Sequence, residues 1–211
     1  MRKFNFLLTM AVVGLVLAAT ARAQDAMLAD SEPQTFDPQT TTVVIVDTNA
    51  PKTKLEAFEA QTGTVIIKGV APIGSMFAQA GTASVRSKES KDAGTGRKEY
   101  GIAIGLKENN RPEDITIIDY DELDSLLDGI DYIIKINRTV SALPSFSAVY
   151  VTKGGFRVAA FSSNNRPGTI QAALQSSHTA RSRLLLAPDQ LAKFQALVQQ
   201  AKNNLDTLRA K

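Results

Sequence analysis

The sequence predicts an α+β domain built on a mainly antiparallel β-sheet, and two observations carry this prediction. Most apolar runs are short, rich in Val, Ile and Thr, and joined by brief polar connections typical of hairpins. Three stretches instead repeat apolar residues at helical spacing: a short one early in the domain, one in mid-chain and a long one at the end. We therefore expect about seven to nine strands, in an open or a barrel-like sheet, and three helices.

The chain begins with a predicted export signal, residues 1–23. Arg2 and Lys3 precede an apolar run, and Ala21-Arg22-Ala23 then offers small residues at a signal-peptidase site. The uninterrupted apolar part is shorter than the ~20 residues that a membrane-spanning helix needs. We expect cleavage after Ala23, export to the periplasm or the medium, and no integral membrane segment after cleavage.

A disordered linker and one globular domain are expected after the signal. Residues 24–42 are polar, contain Pro33 and Pro38, and show no apolar period. Residues 43–211 are long enough for a single domain with its own core. Because the chain has no cysteine, disulfides and thiol chemistry are excluded.

The expected strands are short runs bounded by turn residues. They lie at 43–47, 64–70, 82–88, 99–107, 114–118, 146–153, 156–163, 169–176 and 182–187. In the run 99–107 the larger apolar side chains alternate with Gly101, Ala103 and Gly105. That strand should therefore have one shallow face, which another element could approach closely.

The Gly154-Gly155 pair predicts a hairpin with a two-residue loop. Such a loop pairs Val151 with Val158 and Val149 with Ala160, and it leaves both faces of the hairpin apolar. The sequence therefore predicts that this hairpin is central in the sheet and covered on both sides.

The short first helix is expected after Asn49-Ala50-Pro51, with Leu55 and Phe58 on one face and Gly63 beyond its end. The last helix should begin at Pro188, and its apolar stripe has two interpretations. The stripe packs on the sheet, or it forms a homodimer seam along residues 189–209. Its members are Leu191, Phe194, Val198, Ala201, Leu205 and Leu208.

The acidic run at 119–133 favours a helix over a metal loop, because calcium-loop spacing fails from each acidic start that we tested. Asp121 should cap the helix, and Asp128 and Asp131, one turn apart, are weak candidate metal ligands. An alternative is a hydrolase that uses carboxylates of residues 119–131 as acid and base. The apolar face of the helix comprises Leu123, Leu126, Leu127, Ile130 and Ile134.

The inventory of catalytic motifs is poor. His178 is the only histidine, so the chain lacks the ligands of an ordinary zinc site, and a Ser-His-Asp triad could use only this residue. The stretch 92–101 begins a G-x-G with Gly94 and Gly96, but Glu99 stands where phosphate-binding loops need a third glycine, and there is no G-K-[ST]. No cofactor is predicted.

Charge is balanced overall but unevenly placed. Arg2, Lys3 and Arg22 leave with the signal, so the mature chain carries 21 basic and 21 acidic residues and lacks the basic excess of nucleic-acid binders. Residues 113–131 contain eight acids and no base, whereas residues 132–188 contain seven bases and no acid. The two segments either neutralise each other in the fold or provide an anion-binding face.

The best candidate for an anion site is the turn at 176–183. Its members Ser177, His178, Arg181 and Arg183 could gather a phosphate, carboxylate or sulfate.

We therefore expect an exported, non-catalytic protein of the bacterial cell envelope or medium that binds a protein partner or a small anionic ligand. Two alternatives stay open: the carboxylate hydrolase, and a dimeric structural protein that uses the closing helix.

Overall fold

The computed structural model describes residues 50–162, 169–176 and 182–211, apart from the side chain of Pro188. The expected signal, linker and first strand lie outside these residues. The described part is an α+β fold with two four-stranded antiparallel sheets.

Each sheet is a meander whose spatial order follows the chain. Sheet A consists of β1 (Ile66–Ala78), β2 (Gly81–Asp92), β3 (Lys98–Glu108) and β4 (Asp114–Asp119). Sheet B consists of β5 (Ser147–Val151), β6 (Arg157–Ser162), β7 (Ile170–Gln175) and β8 (Arg183–Leu186). The helices are α1 (Lys54–Glu59), α2 (Leu123–Ile134) and α3 (Pro188–Arg209).

The eight described strands agree with the predicted number, but the barrel-like alternative is wrong for the described residues. After β4 the chain enters a 3-10 turn at Tyr120–Glu122 and then α2, so no hairpin leads from sheet A into the next strand. The strands after α2 pair only among themselves and form a second sheet.

The first helix begins later than its proline suggested. Thr53, not a residue before Pro51, is the N-cap, and its hydroxyl accepts a 3.1 Å hydrogen bond from the backbone N–H of Glu56. The Glu56 carboxylate in turn accepts the N–H of Thr53 at 3.2 Å, which completes a capping box.

The hairpin around Gly154-Gly155 has a three-residue loop, so the predicted register is wrong by one residue. Val151 pairs with Arg157 and Val149 with Ala159. Gly155 adopts the left-handed conformation, with φ of 86°, that closes such loops. The slip exposes one face of the hairpin, and β5 is an edge strand rather than a central one.

Both sheets and the two longer helices share one core. Apolar side chains from the inner face of each sheet join those of α2 and α3 in a single buried cluster. The rings of Phe156, just before β6, and Phe194 of α3 lie 5.9 Å apart. Gly129 lets α2 approach sheet B, since a Cβ there would lie 2.5 Å from the ring of Tyr150.

The apolar stripe of α3 packs inside the chain, as the docking interpretation predicted. Five of its six members are at most 1% exposed: Leu191, Phe194, Val198, Ala201 and Leu205. Ser87 of β2 also donates a 3.2 Å hydrogen bond to the carbonyl of Ala201. The stripe is therefore part of the chain's own core.

The second helix differs from its prediction at the N-terminus. Glu122, not Asp121, is its N-cap, and no side-chain hydrogen bond caps it. Leu123, Leu126, Leu127, Ile130 and Ile133 are buried. Ile134, which was expected on this face, is only partly buried and packs at the edge of the core.

The shallow face predicted on β3 lies on the outer side of sheet A, and α1 packs against it. Leu55 forms a small buried cluster there with Ala103 and Ile117. A Cβ on Gly101 would lie 3.2 Å from the Leu55 side chain and 2.4 Å from the carbonyl of Ile118. Small residues on β3 thus allow α1 to reach the sheet.

The long edge strand β1 is interrupted by a bulge. Pro72 pairs with Arg86 and Gly74 with Val85, so Ile73 is the extra residue. A Cβ on Gly74 would lie 2.7 Å from Leu197 of α3, so this glycine sits against the helix. Ile67, Val70 and Phe77 of β1 are exposed.

Candidate functional site

Asp119, the first residue of the acidic run, has a structural role. Its two carboxylate oxygens accept the backbone N–H groups of Lys54 and Leu55 at 2.8 and 3.0 Å. Asp119 is only 2% exposed. It therefore fixes the start of α1 on sheet A and has no free oxygen directed at a substrate.

Asp121 and Glu122 have contrasting environments. Asp121 contacts Lys54 at 2.7 Å and Lys153 at 3.6 Å, and the hydrogen bond from Lys54 is the main reason that its pKa is lowered. Burial raises the pKa of Glu122. One Glu122 oxygen accepts the N–H of Lys153 at 2.7 Å, while the other is buried without a hydrogen-bond partner among the described residues.

The later acids of the run lie along α2. Asp131 forms an i,i+4 ion pair with Lys135 at 2.6 Å, Asp124 lies 3.4 Å from Lys202, and Asp128 is exposed. In the described ranges no three His, Asp or Glu residues are grouped so that they could hold a metal ion. Asp128 and Asp131 therefore gain no further ligand from the described residues, and these later acids of the run lie along the exposed side of α2 rather than across a cleft.

Of the predicted anion turn, only Arg183 belongs to the described residues; Ser177, His178 and Arg181 lie outside them. The backbone N–H of Arg183 donates to the Glu108 carboxylate at 2.7 Å. Its guanidinium lies 4.9 Å from the centre of the Phe161 ring.

The acidic and basic segments meet only in part. Lys135 and Lys153 pair with acids of residues 113–131. Arg157 and Arg183 form no ion pair with any described residue. Mutual neutralisation therefore accounts for the two lysines but leaves three described arginines: Arg157 and Arg183 of sheet B, and the exposed Arg138.

Arg157 and Arg183 belong to the side of sheet B that faces away from the core, here called the outer B face. Strand pairing places Val149, Ala159, Ala173 and Leu185 in one row across this face, and Val151, Arg157, Gln175 and Arg183 in the next. Phe161 lies in the row on the other side, opposite Ser147.

The outer B face combines exposed apolar side chains on its two outer strands with positive charge. Val149 and Val151 on β5 are 50% and 49% exposed, and Leu185 on β8 is 38% exposed. Arg183 extends diagonally from its row to Phe161, and Ala173 between them is only 2% exposed. Because residues 132–188 contain no acid, no carboxylate of sheet B balances Arg157 or Arg183.

A second feature, the terminal cleft, has a volume of about 330 Å³ and lies between the start of α1, the start of β3, the end of β4 and the end of α3. Three cations and three acids line it, together with Tyr100 and Tyr120. The charged residues are Lys54, Lys98, Arg209, Glu99, Asp119 and Asp121.

Sequence reasoning missed both features because each depends on long-range packing. The exposure of Val149 and Val151 results from a one-residue change of register. In the cleft, Arg209 meets residues of β3 and of the turn after β4 that are far away in the chain. The only earlier signal was the acid-free segment that contains all of sheet B.

Within the part of the chain that the structure describes, no helix combines the length and the apolarity needed to span a bilayer. Comparison with protein-family models, with curated proteins and with solved structures finds no match, so the functional argument depends on the chain's own surfaces.

Proposed function

We propose that the chain is exported and, without catalysing a reaction, binds an acidic protein segment in the bacterial cell envelope through the outer B face. The observation that carries the proposal is the combination on one sheet face of exposed Val149 and Val151 with two arginines whose guanidinium groups form no ion pair with a described residue. Exposed apolar groups beside uncompensated charge are typical of interaction surfaces.

An acidic partner follows from charge complementarity. Arg157 and Arg183 are the charged residues of the two described rows, and no carboxylate lies in either row. Guanidinium groups bind carboxylates with two parallel hydrogen bonds, which makes an Asp- or Glu-containing partner the natural match.

A protein partner is favoured over a lipid or a small anion by the open edge of sheet B. Among the described strands, β5 pairs only with β6, so its other side offers backbone donors and acceptors next to Val149 and Val151. An extended peptide can satisfy such a row of groups and place alternate side chains on the valines. A lipid head group or a single phosphate cannot.

The carboxylate hydrolase receives no comparable support. Asp119 caps α1, Asp121 is paired with lysines, and Glu122 is buried. A glycosidase-like reaction needs two accessible carboxyl groups with different proton affinities on opposite sides of a substrate.

The test uses the mature chain, residues 24–211, immobilised and exposed to envelope extract at low and at high salt. A captured protein must bind again after purification, through an acidic segment and more weakly at high salt. Arg157→Glu/Arg183→Glu should weaken this binding about tenfold or more, because two attractive charges become repulsive. Val149→Lys should weaken it without changing the fold.

The matched control is Arg138→Glu/Lys52→Glu, which reverses two exposed cations that belong to neither row of the outer B face. The proposal fails if control and test variants lose affinity equally. It also fails if anionic lipid vesicles or inorganic phosphate bind in place of a protein, or if light scattering shows that the chain binds only itself. N-terminal sequencing of the exported product tests the proposed export, with Gln24 as the expected first residue.

A further inference from the structure

We infer that the terminal cleft binds a small, net-neutral zwitterion of the α-amino-acid type. This inference concerns a different surface from the outer B face and does not depend on the proposed partner. It rests on which charged groups in the cleft already have partners within the fold and which do not.

Four of the six charged residues are engaged. Lys54 pairs with Asp121 at 2.7 Å, and Lys98 pairs with Glu89 at 3.3 Å. Asp119 accepts the two backbone N–H groups of α1. These groups contribute to the electrostatic potential of the cleft, but they already form hydrogen bonds or ion pairs with other groups of the protein.

The two remaining charges have opposite sign. Arg209 and Glu99 each lack an ion pair or hydrogen bond from the side chain to a described residue. Their interactions within the fold are longer-range: the charge of Arg209 acts on Asp206, and that of Glu99 acts on Lys54. Both line the same cleft. A ligand carboxylate can therefore bind the guanidinium while a ligand ammonium binds Glu99.

Arg209 is held in place by aromatic rings. Its guanidinium lies 3.9 Å from the centre of the Tyr120 ring and 6.0 Å from that of Tyr100. The hydroxyl of Tyr120 donates to Asp206, one turn earlier on α3, which fixes the ring beneath the arginine. Stacking of this kind reduces the side-chain freedom that Arg209 would lose on binding a carboxylate.

The balance of charge argues for a zwitterion over a phosphate. The lining carries three positive and three negative side chains, so a net-neutral ligand meets no excess charge. A multiply charged anion beside Arg209 would also lie near Glu99, Asp119 and Asp121. A volume of about 330 Å³ is at the lower end for ligand sites and suits a molecule of amino-acid size.

The experiment is isothermal titration calorimetry of the mature chain with L-alanine, acetate, methylammonium and inorganic phosphate. We expect L-alanine to bind, and acetate and methylammonium, each of which carries one of its charged ends, to bind at least about tenfold more weakly. Arg209→Ala and Glu99→Gln should each weaken alanine binding about tenfold or more. Arg209→Lys, which keeps the charge but loses the planar fork, should give an intermediate loss.

The control variants are Arg138→Ala and Asp128→Asn, which remove an exposed charge of each sign away from the cleft. Equal thermal stability of all variants shows that the fold is intact. The inference is overturned if no probe binds, if phosphate binds better than alanine, if acetate binds as well as alanine, or if the control variants lose as much affinity as the cleft variants. None of these outcomes bears on the outer B face.

Discussion

Sheet A and sheet B each turn one face towards the shared core, but their outer faces differ in the contacts that their side chains make. On sheet A, α1 packs Leu55 against Ala103 and Ile117. Beside this contact, Arg86 binds Glu113 at 2.7 Å. On sheet B, Val149 and Val151 are half exposed, and the guanidinium groups of Arg157 and Arg183 form no ion pair with a described residue. Apolar side chains are exposed on both outer faces, including Val70 and Phe77 on sheet A. The difference among the described residues is one of charge, because Lys68, Arg86 and Lys88 of sheet A form ion pairs and the two arginines of sheet B do not.

The difference follows from where the acids lie in the sequence. The helix and strands around sheet A contain both signs of charge, so pairs such as Lys88 with Glu59 form locally. Sheet B is built entirely from the acid-free segment 132–188. A face with cations but no anions can be neutralised only from outside that segment, which is why its charges are informative about a partner.

Removal of the contact between α1 and sheet A should have the largest effect. Leu55 is fully buried, and Leu55→Ala should lower the free energy of unfolding by about 3 kcal/mol because it leaves a cavity. Val149→Ala on the outer B face should change it by less than about 0.5 kcal/mol. Urea unfolding of the two variants measures both. Equal losses would contradict the contrast between the faces.

Removal of the carboxylate that caps α1 should have the next largest effect. Asp119→Ala leaves the N–H groups of Lys54 and Leu55 without their acceptor in a buried position, which should cost about 2 kcal/mol. Asp128→Asn, an exposed acid of the same run, should cost almost nothing. If both variants unfold at the same urea concentration, Asp119 does not hold α1.

A smaller loss is expected in the hairpin of sheet B. Gly155→Ala places a Cβ on a residue with φ of 86°, which should cost about 1 kcal/mol. Gly96→Ala, with φ of 73° in the turn between β2 and β3, is the matched change in sheet A and should cost a similar amount. A much smaller loss at Gly155 would argue against the three-residue loop.

The buried Glu122 should act against stability at neutral pH. Because burial raises its pKa above the ordinary value of 4.5, the folded chain holds this proton more tightly than the unfolded chain. Ionised Glu122 therefore lowers the free energy of unfolding. This destabilisation is complete above the pKa of the folded state and disappears as the pH falls to 4.5. Glu122→Gln should increase the free energy of unfolding at pH 7 by less than about 1 kcal/mol and remove this pH dependence.

The opposite sign is expected at Glu113 in the same urea series. Burial alone would raise its pKa, but hydrogen bonds from Arg86 and Ser84 and the charge of Arg86 lower it overall. Its contribution is present above pH 4.5 and is lost as the pH falls through the folded pKa. Glu113→Gln should therefore reduce the loss of stability at acid pH. If the free energy of unfolding falls in acid as steeply as in the wild-type chain, the pairing with Arg86 is contradicted.

The smallest effect concerns the turns of the two sheets. Hydrogen bonds from Thr64, Thr95 and the backbone of Gly94 lower the pKa of Asp92, the last residue of β2, to about 2. In the hairpin of sheet B, the N–H of Phe156 is bound by the hydroxyl of Thr152 instead. In an NMR titration the Gly94 amide should move with a midpoint of about 2, while the Phe156 amide should not. Movement of both would contradict this difference.

Much of the fold was predictable because it depends on local patterns. The hairpins and the buried stripe of α3 follow from periods of two and of 3.6 residues. The sequence-based prediction failed where a single residue sets the register of a hairpin, or where a contact from a distant part of the chain engages a side chain. Adjacent glycines suit two loop lengths, and the longer one moved Val149 out of the interior. Asp121 had the right position to cap α2, but two lysines from other elements bind it instead.

The bulge in β1 has a consequence for how the chain behaves when crowded. A strand with exposed Ile67, Val70 and Phe77 whose outer edge pairs with no other described strand would ordinarily invite stacking into fibrils. Pro72 has no N–H to donate, and the extra residue Ile73 changes the register directly after it. An incoming strand can thus follow only the first half of the edge, which protects the chain from templated aggregation while its apolar side chains stay exposed.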